Sequence, residues 1–271
     1  MKKCVQTILF ILTIIATACT NSTKQSNVST GNDKKSEDLQ FVRFDTIISY
    51  SIDTLKASSP KLTITISLDT IQGADKRSTL INNAITYAAY GIDSTDLFTA
   101  TAAFAHSCKE EYYTLRPDYI NEKQADHTPA WLNHTIDITG STDTGRDSIT
   151  TYTLIQSSYT GGAHGLTTVT LINFDNTTGR EIHLQDIFKE NFEEPLTQQL
   201  LRSLAQQTNS PTIEALKEKG YTTMNEMYPT ENFRLDKDSI TFIYNSYEIA
   251  PYSMGLPTIR ISYDEIKDIM K

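Results

Sequence analysis

The chain has 271 residues, 38% of them hydrophobic, with 24 basic against 33 acidic side chains and a formal charge of −9. That length is enough for one large or two ordinary cores, and the acidic balance argues against a nucleic-acid partner and for complementarity to cationic ones. Three cysteines, Cys4, Cys19 and Cys108, give no basis for a disulfide framework.

The N-terminus opens with Lys2 and Lys3, an apolar run from Val5 to Ile15, and Ala16-Thr17-Ala18-Cys19. A positive start, an apolar stretch too short to span a bilayer and small residues before a cysteine have the pattern of a bacterial lipoprotein signal. Residues 1–18 are expected to be removed, with Cys19 receiving the lipid. Cleavage there would leave 22 basic against 33 acidic side chains, a formal charge of −11. Residues 19–40 are rich in Ser, Thr, Asn and Lys and read as a flexible tether. The expected location is the cell envelope, with membrane attachment through the N-terminal lipid.

Period-two alternation follows in Val42, Phe44, Thr46, Ile48 and Tyr50, and again in Leu62, Ile64, Ile66 and Leu68, which predicts half-buried antiparallel strands. The period then becomes helical. Leu80, Ala84, Tyr87 and Ala88 mark a helix that stops at Gly91. Ser94 is the expected N-cap of the next helix, with the stripe Leu97, Phe104, Cys108 and Tyr112. Cys108 on such a stripe reads as a small apolar residue.

Strand alternation returns at Leu132, His134, Ile136 and Ile138, at Ile149 to Ile155, and from Leu166 to Phe174. Pro195 suits the first turn of a helix bearing Leu196, Leu200, Leu201 and Leu204, and a shorter helix follows Pro211. Phe233 to Leu235, Ile240 to Tyr244 and Ile259 to Tyr263 read as strands. Strands with segregated helices predict an α+β class. Two domains are expected, 41–126 and 127–271, each with helices packed on an antiparallel sheet.

Four strings in the second half stand in a recognisable order: Tyr159-Thr160-Gly161-Gly162-Ala163-His164-Gly165; Asn173-Phe174-Asp175 with Thr178-Gly179; Leu184-Gln185-Asp186-Ile187-Phe188; and Tyr247-Glu248-Ile249-Ala250-Pro251-Tyr252-Ser253-Met254-Gly255. They resemble the C-terminal extracellular domain family of the anti-sigma factor RsiV, and the first half resembles the accessory domain beside the deacetylase domain of PdaC. The resemblance implies an envelope domain in a family with at least one lysozyme-sensing member. It implies neither anti-sigma activity nor deacetylation, because the sigma-binding segment and the deacetylase Asp and His metal motifs have no counterparts in the sequence.

The run Gly161 to Gly165 has two readings: a glycine-rich connection between strands, or a concavity of backbone amides with His164 as a titratable group. Tyr244, Tyr247 and Tyr252 gather around Pro251, as core packing or as faces for a sugar or protein partner. The binding candidates are therefore Gly161, Gly162, His164, Tyr247 and Tyr252. The five histidines form no His-Glu-x-x-His or His-x-His pattern, and there is no Gly-x-Ser-x-Gly elbow. No cofactor, metal or catalytic residue is expected. The function expected is noncatalytic binding of peptidoglycan, another cell-wall-associated ligand or a cationic protein such as lysozyme. The alternative is a cell-wall hydrolase or deacetylase using His164 with His183 or Asp186; Asp175 and Asp186 could pair for glycan chemistry but read first as turn-forming residues.

Overall fold

The computed structural model describes residues 39–124 and 130–271. The expected signal, Cys19, nearly all of the tether and the expected domain boundary at residue 126 lie outside the described residues. The fold is α+β, with a five-stranded sheet and a second, three-stranded sheet.

The first sheet begins with β1 (Phe41–Ser51) and β2 (Lys61–Ile71), paired antiparallel in the register Ile48 to Ile64. Helices α1 (Lys76–Tyr90), α2 (Leu97–Tyr113) and α3 (Arg116–Gln124) follow. The chain then returns as β3 (His134–Thr144), β4 (Ile149–Tyr159) and β5 (Leu166–Asp175), in sheet order β1-β2-β3-β4-β5. The strands expected from alternation are present, but β2 and β3 are parallel neighbours in one sheet, Ile64 beside Ile136, where two domains each with an antiparallel sheet are expected. Parallel neighbours require a long crossover, which the helical segment supplies.

One face of this sheet carries the core. Leu62, Ile64, Ile66 and Leu68 of β2 meet Ile81, Ile85 and Ala89 of α1, Ala105 and Tyr112 of α2, and Tyr119 of α3. Full burial of each such aliphatic side chain is worth about 2 kcal/mol. Thr135, Asp137 and Thr139 on β3 point to the opposite, solvated face. Helix α1 starts at Asp75, whose carboxylate accepts the amides of Arg77 and Ser78, and stops at Gly91 in the left-handed region. The cap of α2 is Asp96 rather than Ser94. Asp96 accepts the amides of Phe98 at 3.1 Å and Thr99 at 3.3 Å, while the Ser94 hydroxyl accepts the amide of Asp96 itself. Cys108 packs against the core, and burial pushes its thiol pKa up, as expected for an apolar role.

A second core gathers around α4 (Leu184–Ile187), α5 (Glu193–Gln207), α6 (Ile213–Glu218), β6 (Phe233–Leu235), β7 (Ser239–Ile243), β8 (Thr258–Ser262) and α7 (Tyr263–Ile266). The leucine stripe of α5 places Leu196, Leu200 and Leu204 against Ile240, Phe242, Ile259 and Ile261 of the antiparallel β6-β7-β8 sheet. The buried residues of the two cores part between Phe174 and Leu184, so β3, β4 and β5 share a core with β1 and β2, while the half-buried Ile149 at the start of β4 packs on the second core.

Side-chain amides join the two sheets. Strand β5 ends the first sheet, and its outward backbone groups meet asparagines instead of another strand. Leu171 N donates to Asn232 Oδ1 at 2.7 Å and Val169 N donates to Asn245 Oδ1 at 2.8 Å. Val169 O accepts from Asn232 Nδ2 at 2.9 Å and from Asn245 Nδ2 at 3.1 Å. Asn232 Nδ2 also reaches Ile243 O, and the buried Asn173 donates to Phe233 O at 2.8 Å.

Two stability measurements check this description. Asn232→Ala strands the Leu171 amide and the Ile243 carbonyl, with an expected cost on the order of 3 kcal/mol in urea unfolding. Asn232→Asp is expected to do no better, since its carboxylate would face two carbonyls; a loss below about 1 kcal/mol for both would refute the amide seam. His134 is 8% exposed, its ring 5.2 Å from that of Tyr112 and its Nε2 buried without a hydrogen-bond partner. Burial holds its pKa below the ordinary imidazole value. The unfolded chain therefore takes the proton first, and stability, intact above about pH 6.5, falls as pH drops below it. His134→Gln should flatten that acid limb, and an unchanged limb would assign it to other groups.

Candidate functional site

Strand β4 ends at Tyr159 and β5 begins at Leu166, with the glycine run between them. Gly161 and Gly162 have φ of +89° and +97°, in the region that L side chains rarely adopt. A Cβ on Gly161 would lie 3.2 Å from Trp131 O and 3.5 Å from the Trp131 ring, so the loop lies directly on that residue. The Tyr159 hydroxyl donates to Gly162 O at 3.1 Å. The His164 Nδ1 contact with Gly165 O at 2.8 Å requires a proton on Nδ1, which leaves Nε2 as the acceptor of the neutral ring.

His164 is exposed, and its ring stacks on Tyr252 with centroids 4.1 Å apart and planes at 16°. Tyr247 stacks on the same Tyr252 at 6.1 Å and 27°. The three expected side chains thus form one column of rings, with Tyr247 45% and Tyr252 37% exposed. Tyr244 does not belong to it. It is fully buried in the second core and donates its hydroxyl to Tyr228 O.

Two loops hold the tyrosines. Tyr252 opens a 3-10 turn, Tyr252–Met254, after Pro251. Tyr247 lies in a turn closed by Tyr247 N to Ala250 O and by Asn245 N to Glu248 Oε2 at 2.9 Å. Its φ is +70°, a conformation that costs a bulky L residue on the order of 1–2 kcal/mol. The neighbouring loop holds a second such residue, Thr222 at φ +52°, whose hydroxyl is buried without a hydrogen-bond partner. The loops are tied by Thr223 N to Ile249 O and by Asn225 Nδ2 to Glu248 O. Trp131, Tyr159 and Thr222 were not among the expected site residues. Trp131 lies thirty residues before the loop it supports, and periodicity carries no signal for such a contact.

The alternative catalytic groups have other engagements. Asp186 accepts the amide of His183 at 2.9 Å as the start of α4, and His183 Nδ1 lies 3.5 Å from Glu231 Oε2. Asp175 accepts the amides of Thr177 and Thr178, an Asx turn. Asp175 and Asp186 do line one open cleft of about 470 Å³, together with Arg146, Arg180, Glu181 and Lys271. His164 is not part of its lining. Among the described residues, no group of three or more His, Cys, Asp or Glu is gathered as a metal site.

The strain at Tyr247 gives a direct test. Tyr247→Gly and Tyr247→Ala lose the same ring, but only alanine retains the left-handed penalty. Tyr247→Gly should therefore be the more stable by about 1 kcal/mol in denaturant unfolding, and the reverse order would contradict the backbone geometry.

The sequence model of a family described as "Protein of unknown function (DUF3298)" matches residues 185–264. The crystal structure of a DUF3298 member from Bacteroides fragilis NCTC 9343 is 30% identical, with a TM-score of 0.77 over 88% of this chain and 96% of that one. A DUF3298 protein from Pseudomonas aeruginosa PAO1 shares the fold at 17% identity, with a TM-score of 0.62 over 87% of this chain and 96% of its own. The peptidoglycan-N-acetylmuramic acid deacetylase PdaC of Bacillus subtilis (strain 168) is 28% identical over 115 residues, 42% of this chain but 24% of that enzyme. The chain thus matches about a quarter of that enzyme's length. With near-complete coverage of the Bacteroides protein at that identity, the chain belongs to the DUF3298 family.

Proposed function

We propose that this chain is a lipid-anchored envelope protein that binds a cell-wall glycan without catalysis, at the His164–Tyr252–Tyr247 column. The observation that carries the reading is the column itself: three polar-tipped rings stacked in contact on the surface, one of them at a strained backbone angle. Strain of this kind persists where surrounding structure enforces it, and it gathers at binding sites. Rings with a polar tip offer apolar area and a hydrogen bond together, which suits a hydroxylated ligand. The partial match to an enzyme named for peptidoglycan supports the same ligand class, and the N-terminal pattern ending at Cys19 supports anchoring.

A second reading, a cationic protein partner such as lysozyme, is favoured by the acidic balance of the chain and by its resemblance to the RsiV extracellular domain family. The catalytic alternative would need His164 to work with His183 or Asp186. In the fold those two residues form the start of α4, while His164 contacts Tyr252 and Gly165 O.

The test is co-sedimentation of the full chain with purified peptidoglycan sacculi. Retention is expected, with Tyr252→Ala and His164→Ala each weakening it about ten-fold while leaving the circular-dichroism melt intact, as for loss of one aromatic contact. Absence of retention, or retention indifferent to both variants, sinks the proposal. Release of acetate or reducing sugar from the sacculi would favour the enzyme, and saturable, salt-weakened heat with lysozyme alone would favour the protein partner.

A further inference from the structure

The charge pattern around the ring column selects among glycans. Three segments build the site: the 159–165 loop, the 220–228 loop and the 244–256 segment. None contains a lysine or arginine. Their only fixed charges are Glu226, which is exposed, and Glu248, which is half-buried in the turn that carries Tyr247. Lys219, just before the second loop, donates to the carbonyls of Thr208 and Asn209. An anionic polymer would find no cation in these loops.

Glu248 is placed among rings. One of its oxygens accepts the Asn245 amide at 2.9 Å, and its backbone carbonyl accepts from Asn225 Nδ2. Its carboxylate also lies by the exposed Tyr228 phenol, whose pKa is pushed up by burial and then by that negative charge. Aromatic faces carry negative quadrupole potential, so a carboxylate beside the partly exposed Tyr228, in the turn that carries Tyr247, favours a positively charged group that also has apolar surface.

We infer that this site takes an amino sugar whose nitrogen is positively charged instead of acetylated, with that charge directed to Glu248 and the neighbouring Tyr228. The inference rests on the glycan-binding reading above and narrows it to one ligand class. An amide-capped sugar keeps its hydroxyls for the ring tips but has no charge for Glu248. A positively charged nitrogen adds a charge–carboxylate contact and a cation–π contact, together worth about ten-fold in affinity.

The experiment uses the full chain and two hexasaccharides at neutral pH, N-acetylglucosamine and N,N,N-trimethylglucosamine. The second is permanently cationic, so its own charge does not depend on pH. Trp131, the only tryptophan in the chain, contacts Gly161 of the loop and reports binding by its fluorescence. The cationic sugar should bind about ten-fold tighter at low salt, with the gap narrowing as salt is raised. Glu248→Gln retains an acceptor for the Asn245 amide and should erase most of the gap while leaving the N-acetylated sugar unaffected. Equal affinities, or a gap that survives Glu248→Gln, would overturn the amine assignment and leave glycan binding standing. If neither sugar binds while the fold is intact, both proposals fall, and lysozyme binding in that case would point to a protein ligand.

Discussion

The structure depends on how the outer edge of β5 is closed. A terminal strand displays amides and carbonyls that need partners, and leaving them buried without any is expensive. Here the partners are asparagine side chains from the second core, which carry a donor and an acceptor in the same planar group as a peptide. Asn232 and Asn245 bond the Val169 and Leu171 backbone as a neighbouring strand would. Asn173 returns the interaction from β5 by donating to Phe233 O. Beyond it, Ile182 N donates to Asn173 O, and Asp175 N donates to Arg180 O, which completes the edge with main chain. A directional seam of this kind fixes register, which apolar contact alone does not.

The seam also sets the ring column. Asn245 bonds β5 through its side chain and Glu248 through its backbone amide. The turn that holds Tyr247 is thus fastened to the same strand that the glycine loop enters. His164 reaches Tyr252 across this junction, while Trp131 supports the loop from the first core. A backbone penalty at Tyr247 is sustainable because several hydrogen bonds close the turn around it. Rings from separate segments therefore meet in a fixed arrangement, which would lower the ordering cost of the proposed binding.

Much of the fold is legible in local pattern, because alternation and helical stripes record which face is buried. The leucines of α5, the stop at Gly91 and the strand cores follow from that rule. Strand order does not. Periodicity identifies the buried face of β2 and β3 but not their relative direction, so their parallel pairing has no local signature. The cap of α2 lies two residues beyond the expected Ser94 because Ser94 and Asp96 are both good caps, and the structure uses them in series. The ring cluster was partly legible. Tyr247, Tyr252 and His164 stand out by composition, but only packing separates them from Tyr244, whose side chain belongs to the core.

Where the fold perturbs protonation most is informative about the site. Burial pushes the phenols of Tyr112, Tyr152 and Tyr244 far up, and each belongs to one of the two hydrophobic cores. Burial likewise lowers His134, which packs on Tyr112. Acid–base catalysis depends on shifts of this kind in groups that a substrate can touch. The shifts of Tyr112, Tyr152, Tyr244 and His134 arise from packing in buried groups. The accessible rings of the column share a geometry: mutual stacking, a left-handed turn and attachment to the amide seam. Rigid placement of aromatic surface is what recognition requires, and it is the property that the closure of β5 enforces most directly on the loops beside it.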